Sequence, residues 1–159
     1  MKINIHCIGH LKEKYWLDAI NEYSKRISRF ADIKIIEYPD VPYKEGISQL
    51  EEEKIKSLEC KKALDNLKDN EYLIALDLNK EEMDSIEFSS FIMKSLERGR
   101  SSISFIIGGS LGLSQEIKKR ANASISFSKM TFPHQMMRVI LLEQIYRAFK
   151  IEHHETYHK

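Results

Sequence analysis

The chain has 159 residues, of which 42% are hydrophobic and 31% are charged, and its formal net charge is +1. This composition is typical of a soluble globular domain and excludes a disordered or fibrous protein. The sequence has no apolar run near the roughly 20 residues that cross a bilayer, and its start lacks the apolar core of a secretory signal. The two cysteines, Cys7 and Cys60, lie far apart in the sequence, so we expect no disulfide framework. We therefore expect a single domain, residues 1–159, in the cytoplasm and without a membrane partner.

Short apolar runs alternate along the chain with longer stretches that have helical spacing. The predicted strands are Ile3–Ile8, Ile33–Tyr38, Tyr72–Leu78, Ile103–Ile107 and Ala123–Phe127. The predicted helices are Leu11–Phe30, Ile47–Leu67, Ser85–Arg98, Leu113–Arg120 and His134–Ile151. Strictly alternating strands and helices indicate an α/β fold, with a mostly parallel sheet of five to six strands and helices on both faces.

Helical spacing also predicts which side chains face the core. In the first helix these are Tyr15, Ala19, Tyr23 and Ile27, and in the second they are Ile47, Leu50, Ile55, Leu58 and Leu67. The last helix is apolar almost all round, and a small domain has limited interior. We expect a second subunit to cover part of it, although a central core helix in a monomer would also explain the pattern.

Charge is distributed unevenly along the chain. From Lys118 to Lys159 there are 8 Lys and Arg against 3 Asp and Glu, a net of +5, together with four of the six histidines. The first 117 residues have 17 against 21, a net of −4. This asymmetry is compatible with an anionic partner such as RNA, and a solvated basic face would explain it equally well.

Two segments could form a ligand site. The first is the turn Gly108–Gly112, where a buried strand ends in glycines that let a backbone approach a ligand closely. The second is Ser126–Arg138, where hydroxyls, a lysine, phenylalanines, His134 and Arg138 follow the last strand. Such a loop suits an adenosine-type ligand, which needs an apolar slot and a few backbone hydrogen bonds. A tight turn and ordinary core packing remain the structural alternatives. Asp77 follows Leu76 at the end of the third predicted strand, and a turn or helix-capping role is its structural alternative.

The C-terminal tail, Ile151–Lys159, combines histidine and glutamate. Metal binding is a poor interpretation because His153 and His154 are adjacent and cannot share one helical face. We expect no metal. The tail is either a frayed terminus or a segment that folds over a substrate, with Tyr157 stacking on a base and His158 or Lys159 meeting phosphate.

Taken together, these motifs closely resemble the ribosomal RNA large subunit methyltransferase H family, the smallest branch of the trefoil-knot (SPOUT) methyltransferases. The resemblance spans the chain and is carried by the start (Met1–Ile3 and Gly9–Trp16), the turn Ile107–Gly112, the run Ser126–Arg138 and the end (Glu143–Ile151 and Tyr157–Lys159). It implies a C-terminal trefoil knot, an exception to the rule that chains avoid threading. It also implies a homodimer that uses no metal.

The resemblance implies an activity and a set of site residues. The family transfers a methyl group from S-adenosylmethionine to N3 of a pseudouridine in 23S ribosomal RNA, on the assembled ribosome, and releases S-adenosylhomocysteine. The expected cofactor contacts are Leu76, Gly108, Gly109, Phe127, Ser128, Lys129, Met130, Thr131 and Phe132. The candidate catalytic residues are His134 and Arg138. The expected RNA contacts are Arg147, His154, Tyr157, His158 and Lys159.

Two other interpretations compete with this one. An RNA-binding or ribosome-binding assembly factor could keep the fold without catalysis, and its failure to bind S-adenosylmethionine would distinguish it. A flavodoxin-like nucleotide-binding domain would place phosphate after the first strand, but Gly9-His10-Leu11 is not a phosphate loop.

Overall fold

A computed structural model describes residues 1–159, apart from the side chain of Asn79. In chain order the elements are β1 (Lys2–Ile8), α1 (Lys14–Ile27), β2 (Asp32–Tyr38), α2 (Gln49–Asn66), β3 (Tyr72–Glu82), α3 (Ser85–Arg98), β4 (Ser102–Ile107), α4 (Gln115–Arg120), β5 (Ala123–Ser126) and α5 (His134–Glu152). In the described chain the strands form one five-stranded sheet of order β2-β1-β4-β3-β5, and every neighbouring pair is parallel. The predicted α/β fold is therefore confirmed.

Helices cover both faces of the sheet, as predicted. On one face α5 packs between α1 and α3, and these helices bury an apolar cluster that includes Phe105, Phe149 and Leu141. On the other face α2 and α4 cover a smaller cluster around Ile106 and Leu73. No helix in the described part of the chain is both long enough and apolar enough to span a membrane. The trefoil knot stays a prediction.

The predicted buried faces of the first two helices are partly wrong. Tyr15 is 64% exposed, in the first turn of α1, whose buried residues are Ile20 and Ile27 further along the helix. Leu50 and Leu58 are exposed as well, because α2 packs through small residues such as Ala63 and Cys60, which let the helix approach the sheet closely. Helical spacing identified an apolar side of each helix but not the side that the sheet would cover.

The parallel sheet brings the carboxyl ends of its strands to one edge, here called the carboxyl edge. The loops that follow β1, β2, β4 and β5 all lie there. Helix α5 begins at this edge, where His134 lies beside Gly9, and ends at the opposite edge, where Phe149 stacks on Phe30 at 5.2 Å between ring centroids. The two ends of α5 therefore lie at opposite edges of the sheet.

Candidate active site

A cleft of about 630 Å³ opens at the carboxyl edge, above the ends of β3, β4 and β5. One wall is the turn after β4, and the other is the segment after β5 that leads into α5. The expected cofactor residues that line it are Leu76, Gly108, Gly109, Phe127, Ser128, Met130, Thr131 and Phe132. Lys129 is exposed beside the cleft rather than lining it. The two segments singled out in the sequence thus face each other across one cavity.

The wall after β4 is a turn that folds back on itself. A Cβ atom on Gly108 would lie 2.7 Å from the carbonyl carbon of Gly112 and 2.8 Å from its oxygen. Gly112 adopts φ +92°, a left-handed conformation that favours glycine, and its N–H donates to the Gly109 carbonyl at 3.0 Å. Because no side chain fits between Gly108 and Gly112, this wall presents backbone to a ligand.

The opposite wall combines packed aromatic rings with local hydrogen bonds. The ring of Phe127 packs against Phe88, with 5.4 Å between centroids. The hydroxyl of Ser126 donates to the Ser128 carbonyl at 2.9 Å, and the Met130 N–H donates to the Ser128 hydroxyl at 3.0 Å. These contacts give the loop a defined shape and leave the Met130 side chain exposed at the mouth of the cleft. An apolar slot with polar backbone groups nearby suits a nucleoside.

An ion pair at the cleft was not predicted from the sequence. Strand β3 continues to Glu82, so Asp77 lies within the strand rather than in a turn or at a helix cap, its structural alternatives. Its carboxylate lies 3.1 Å from the ammonium of Lys118, and both residues line the cleft. In the sequence, a single acidic residue in an apolar predicted strand is the only indication of this ion pair. That Lys118 on α4 is its partner can be seen only in the folded structure.

His134 lines the cleft at the first turn of α5 and is half-buried. Its Nδ1 has no hydrogen-bond partner among the residues that the structure describes. Burial lowers the pKa of His134 below its usual 6.5, the positive charge of Arg138 lowers it further, and the carboxylate of Asp40 opposes both effects. The imidazole is therefore neutral at neutral pH, and because Nδ1 is buried beside Gly9, only Nε2 could take a proton from a ligand in the cleft.

Arg138 lies behind the cleft rather than in it. Its side chain is 1% exposed, its Nη2 donates to the Gly9 carbonyl at 2.8 Å, and its Nη1 lies 3.3 Å from Glu37 Oε2. Arg138 therefore joins α5 to the ends of β1 and β2. Arg138 is not among the residues that line the cleft.

The residues expected to contact RNA lie together at the far end of α5. Arg147 pairs with Glu143 at 2.6 Å, and its guanidinium carbon lies 4.7 Å from the ring centroid of Tyr157. Tyr157 donates its hydroxyl to Glu143 at 3.2 Å, and His158 lies 3.3 Å from Arg147. His154, in a turn at φ +52°, and Lys159 are exposed nearby.

The tail cluster is distant from the cleft within one chain. Arg147 lies thirteen positions after His134 in α5, which corresponds to about 20 Å along the helix at roughly 1.5 Å per residue. Among the described residues, no group of His, Cys, Asp and Glu side chains could hold a metal ion.

Comparison with known proteins gives a consistent result. A family model described as "Predicted SPOUT methyltransferase" matches residues 1–158. The chain is 52% identical to ribosomal RNA large subunit methyltransferase H 1 of Clostridium perfringens and 51% identical to ribosomal RNA large subunit methyltransferase H of Clostridium acetobutylicum. Both alignments span 159 residues and cover 100% of this chain and of each relative.

Two solved structures share the fold at low sequence identity. A probable methylase family protein from Haemophilus influenzae has a TM-score of 0.54 and 10% identity, over 99% of this chain and 70% of that chain. A putative methyltransferase from Legionella pneumophila, solved with its cofactor SAM bound, has a TM-score of 0.51 and 12% identity, over 93% of this chain and 66% of that chain. At these identities the likeness concerns the fold alone.

Proposed function

The chain belongs to the ribosomal RNA large subunit methyltransferase H family of SPOUT methyltransferases, and we propose that it transfers a methyl group from S-adenosylmethionine to N3 of a pseudouridine in 23S ribosomal RNA. The observation that supports this most strongly is the cleft, because its walls are two of the segments that carry the resemblance, Ile107–Gly112 and Ser126–Arg138. The product is S-adenosylhomocysteine. We infer that the reaction takes place in the cytoplasm, on the assembled ribosome.

The cleft fits S-adenosylmethionine in size and chemistry. A volume of about 630 Å³ falls within the usual range for small-molecule sites. Gly108 offers backbone without a side chain, Leu76 and Phe132 offer apolar surface, and Asp77 offers a carboxylate. When bound, S-adenosylmethionine supplies a methyl group that its sulfonium charge has already activated. The chain's own residues must then orient the acceptor and remove one proton from it.

We assign the proton transfer to His134. The N3–H of a pseudouridine is weakly acidic, and an acceptor nitrogen at the cleft must take its proton as the N–CH₃ bond forms. Neutral His134 lines the cleft, which supports this role, and since its Nδ1 is buried the accepting atom would be Nε2. Burial and, secondarily, the charge of Arg138 lower the pKa of His134, and Arg138 also binds the Gly9 carbonyl beside the imidazole, so we assign Arg138 as a positioning residue rather than one that touches substrate.

We expect His134→Ala to lower kcat by at least about 100-fold, the usual contribution of a general base, with S-adenosylmethionine affinity within about twofold of wild type. Because the pKa of His134 is lowered, the wild-type rate should fall only as pH drops below about 6.5, where the imidazole becomes protonated. Single-turnover methylation across pH measures both effects. His134→Gln is the matched control, since it keeps a polar group at the start of the helix. If either variant methylates at the wild-type rate, His134 takes no part in the chemistry.

We propose that the working unit is a homodimer with shared sites. The tail cluster around Arg147 and Tyr157 lies at the opposite edge of the sheet from its own cleft, about 20 Å along α5. Apolar residues of α5, including Met136, Val139 and Ile140, remain only partly buried in one chain. A partner subunit that covers this helix could bring its own tail to the cleft, so that RNA contacts and cofactor come from different chains.

The proposed function is tested by mapping the modification. Ribosomes from cells that lack this protein are incubated with purified protein and S-adenosylmethionine, and methylated pseudouridine is located by mass spectrometry of RNA fragments. We expect one new methyl group, at N3 of one pseudouridine of the large-subunit RNA, present only with both protein and cofactor. Methylation at another base would contradict the proposed acceptor, and no methylation together with no cofactor binding would favour a non-catalytic assembly factor.

A further inference from the structure

The strand order divides the carboxyl edge into two halves. The cleft lies above β4, β3 and β5, whereas β1 and β2 lie on the other side of β4. The loops that follow β1 and β2, residues 9–13 and 39–48, form this second half. His134 lies at the boundary, because its Cε1 is 3.1 Å from the position that a Cβ on Gly9 would occupy. The loop after β1 is therefore close to the proposed proton acceptor without lining the cofactor cleft, and the loop after β2 lies beside it because β2 pairs with β1.

Exposed aromatic rings occur on this half of the edge. Of the Phe, Tyr and Trp side chains that the structure describes, Tyr15 and Tyr43 are the exposed ones, at 64% and 41%. Tyr43 lies in the loop after β2, and Tyr15 lies in the first turn of α1, after the loop that follows β1. Exposed aromatic rings on loops that a rigid sheet positions are typical of binding surfaces.

The Tyr43 ring is held in place despite its exposure. Its hydroxyl lies 3.0 Å from the hydroxyl of Ser110, a residue of the cleft wall after β4. Two residues earlier, the Val41 N–H donates to Glu59 Oε1 at 3.0 Å, and Glu59 is almost fully buried. Pro42, between the two anchors, restricts φ. The loop from Val41 to Tyr43 is thus fixed at both ends, against α2 and against the cleft wall.

A packing role does not account for this ring. An aromatic side chain that only stabilises the fold packs its ring against the core, as Phe127 and Phe30 do in this chain. Tyr43 instead has its hydroxyl occupied by Ser110, a residue of the cleft wall after β4, and leaves ring surface exposed to solvent. A fixed, exposed ring loses little conformational entropy when a base stacks on it.

We propose that Tyr43 is an RNA-binding residue whose ring stacks on a nucleobase adjoining the acceptor, and that the loops after β1 and β2 form the RNA-facing surface beside the cleft. The inference rests on the proposed function, since it needs RNA as the substrate. It differs from the expected tail contacts, because Tyr43 belongs to the same chain as the cleft it flanks. It also separates the two ligands along the edge: cofactor above β3 to β5, and RNA above β1 and β2.

The test compares ribosome binding, cofactor binding and methyl transfer in four full-length proteins: wild type, Tyr43→Ala, Tyr43→Phe and Leu58→Ala. Leu58 is an exposed apolar residue on α2 and serves as the matched surface control. Ribosome affinity is measured by co-sedimentation and S-adenosylmethionine affinity by calorimetry. We expect Tyr43→Ala to weaken ribosome binding about tenfold, within the usual range for a base stacked on an aromatic ring, with unchanged cofactor affinity. Tyr43→Phe should stay within about threefold of wild type, and Leu58→Ala should be unchanged.

Three results would overturn the inference. Tyr43→Ala could bind ribosomes like wild type, Tyr43→Phe could lose as much affinity as Tyr43→Ala, or the loss could appear in cofactor affinity instead. The first would show that the ring does not contact RNA, the second that only the hydroxyl matters, and the third that the cleft has been disturbed. Failure of the proposed function looks different, because wild type would then bind ribosomes without methylating them or would not bind them at all.

Discussion

Replacing Gly108 with alanine is expected to weaken S-adenosylmethionine binding by about 100-fold. The new Cβ would lie 2.7 Å from the carbonyl carbon of Gly112, and backbone cannot move aside as the end of a flexible side chain can. The turn must open, which displaces the backbone groups that line the cleft. Losing two hydrogen bonds of about 1.5 kcal/mol each corresponds to about 3 kcal/mol, or roughly 100-fold in affinity. Calorimetric titration with S-adenosylmethionine measures the change.

The chain offers a matched control for this substitution. A Cβ on Gly99 would also collide with backbone, at the Ser102 carbonyl, but Gly99 lies near the start of β4, at the edge opposite the cleft. Gly99→Ala should therefore lower the free energy of unfolding without changing the affinity of the folded protein for cofactor. Equal losses of affinity in the two variants would mean that Gly108→Ala acts through global stability and not through the turn.

Removing residues 153–159 is expected to lower methyl transfer by at least about 100-fold while cofactor binding is retained. The deleted segment carries Tyr157, His158 and Lys159, and losing base stacking together with phosphate contacts has an effect of this size. The cleft is formed without these residues, at the other edge of the sheet. As controls, thermal unfolding measures whether the truncated protein folds, and calorimetry measures whether it binds S-adenosylmethionine.

Mixing subunits tests whether the site is shared. Truncated chains keep an intact cleft, and Gly108→Ala chains keep an intact tail, so a mixed dimer contains one complete shared site. Random exchange of equal amounts makes about half of the dimers mixed, and each has one working site of two, so about a quarter of wild-type activity should return. If mixing restores no activity, cleft and tail do not work across the dimer. If the truncated protein alone keeps full activity, the tail is not needed for RNA binding.

Local patterns account for the part of the fold that was predicted correctly. Each predicted strand overlaps the observed one to within about two residues at most ends, and α3 was predicted at its observed bounds, Ser85–Arg98. Apolar runs and helical spacing depend on neighbours in the chain, so they are readable without a structure. The exception is the C-terminal end of β3. The strand continues past Leu78 to Glu82 through polar residues, and no apolar pattern in the sequence indicates this extension.

Buried faces and long-range pairs were harder to predict. Leu50 and Leu58 belong to an apolar side of α2 that nothing in one chain covers, whereas Glu59 is almost fully buried through its contacts with the loop after β2 and the turn after β4. The pairing of Asp77 with Lys118 depends on α4 returning to the end of β3. Helical spacing cannot report such contacts, because they depend on where distant segments meet.

The sequence by itself determined the alternation of strands and helices, the glycine turn at Gly108–Gly112 and the segment from Ser126 to Arg138 as candidate ligand residues. Only the tertiary structure decided that these two segments face each other, that Arg138 turns away from the cleft to bind Gly9 and Glu37, and that the tail lies at the opposite edge. The physical reason is the strand order β2-β1-β4-β3-β5, which is set by the packing of residues far apart in the chain and leaves no periodic signal in any one segment.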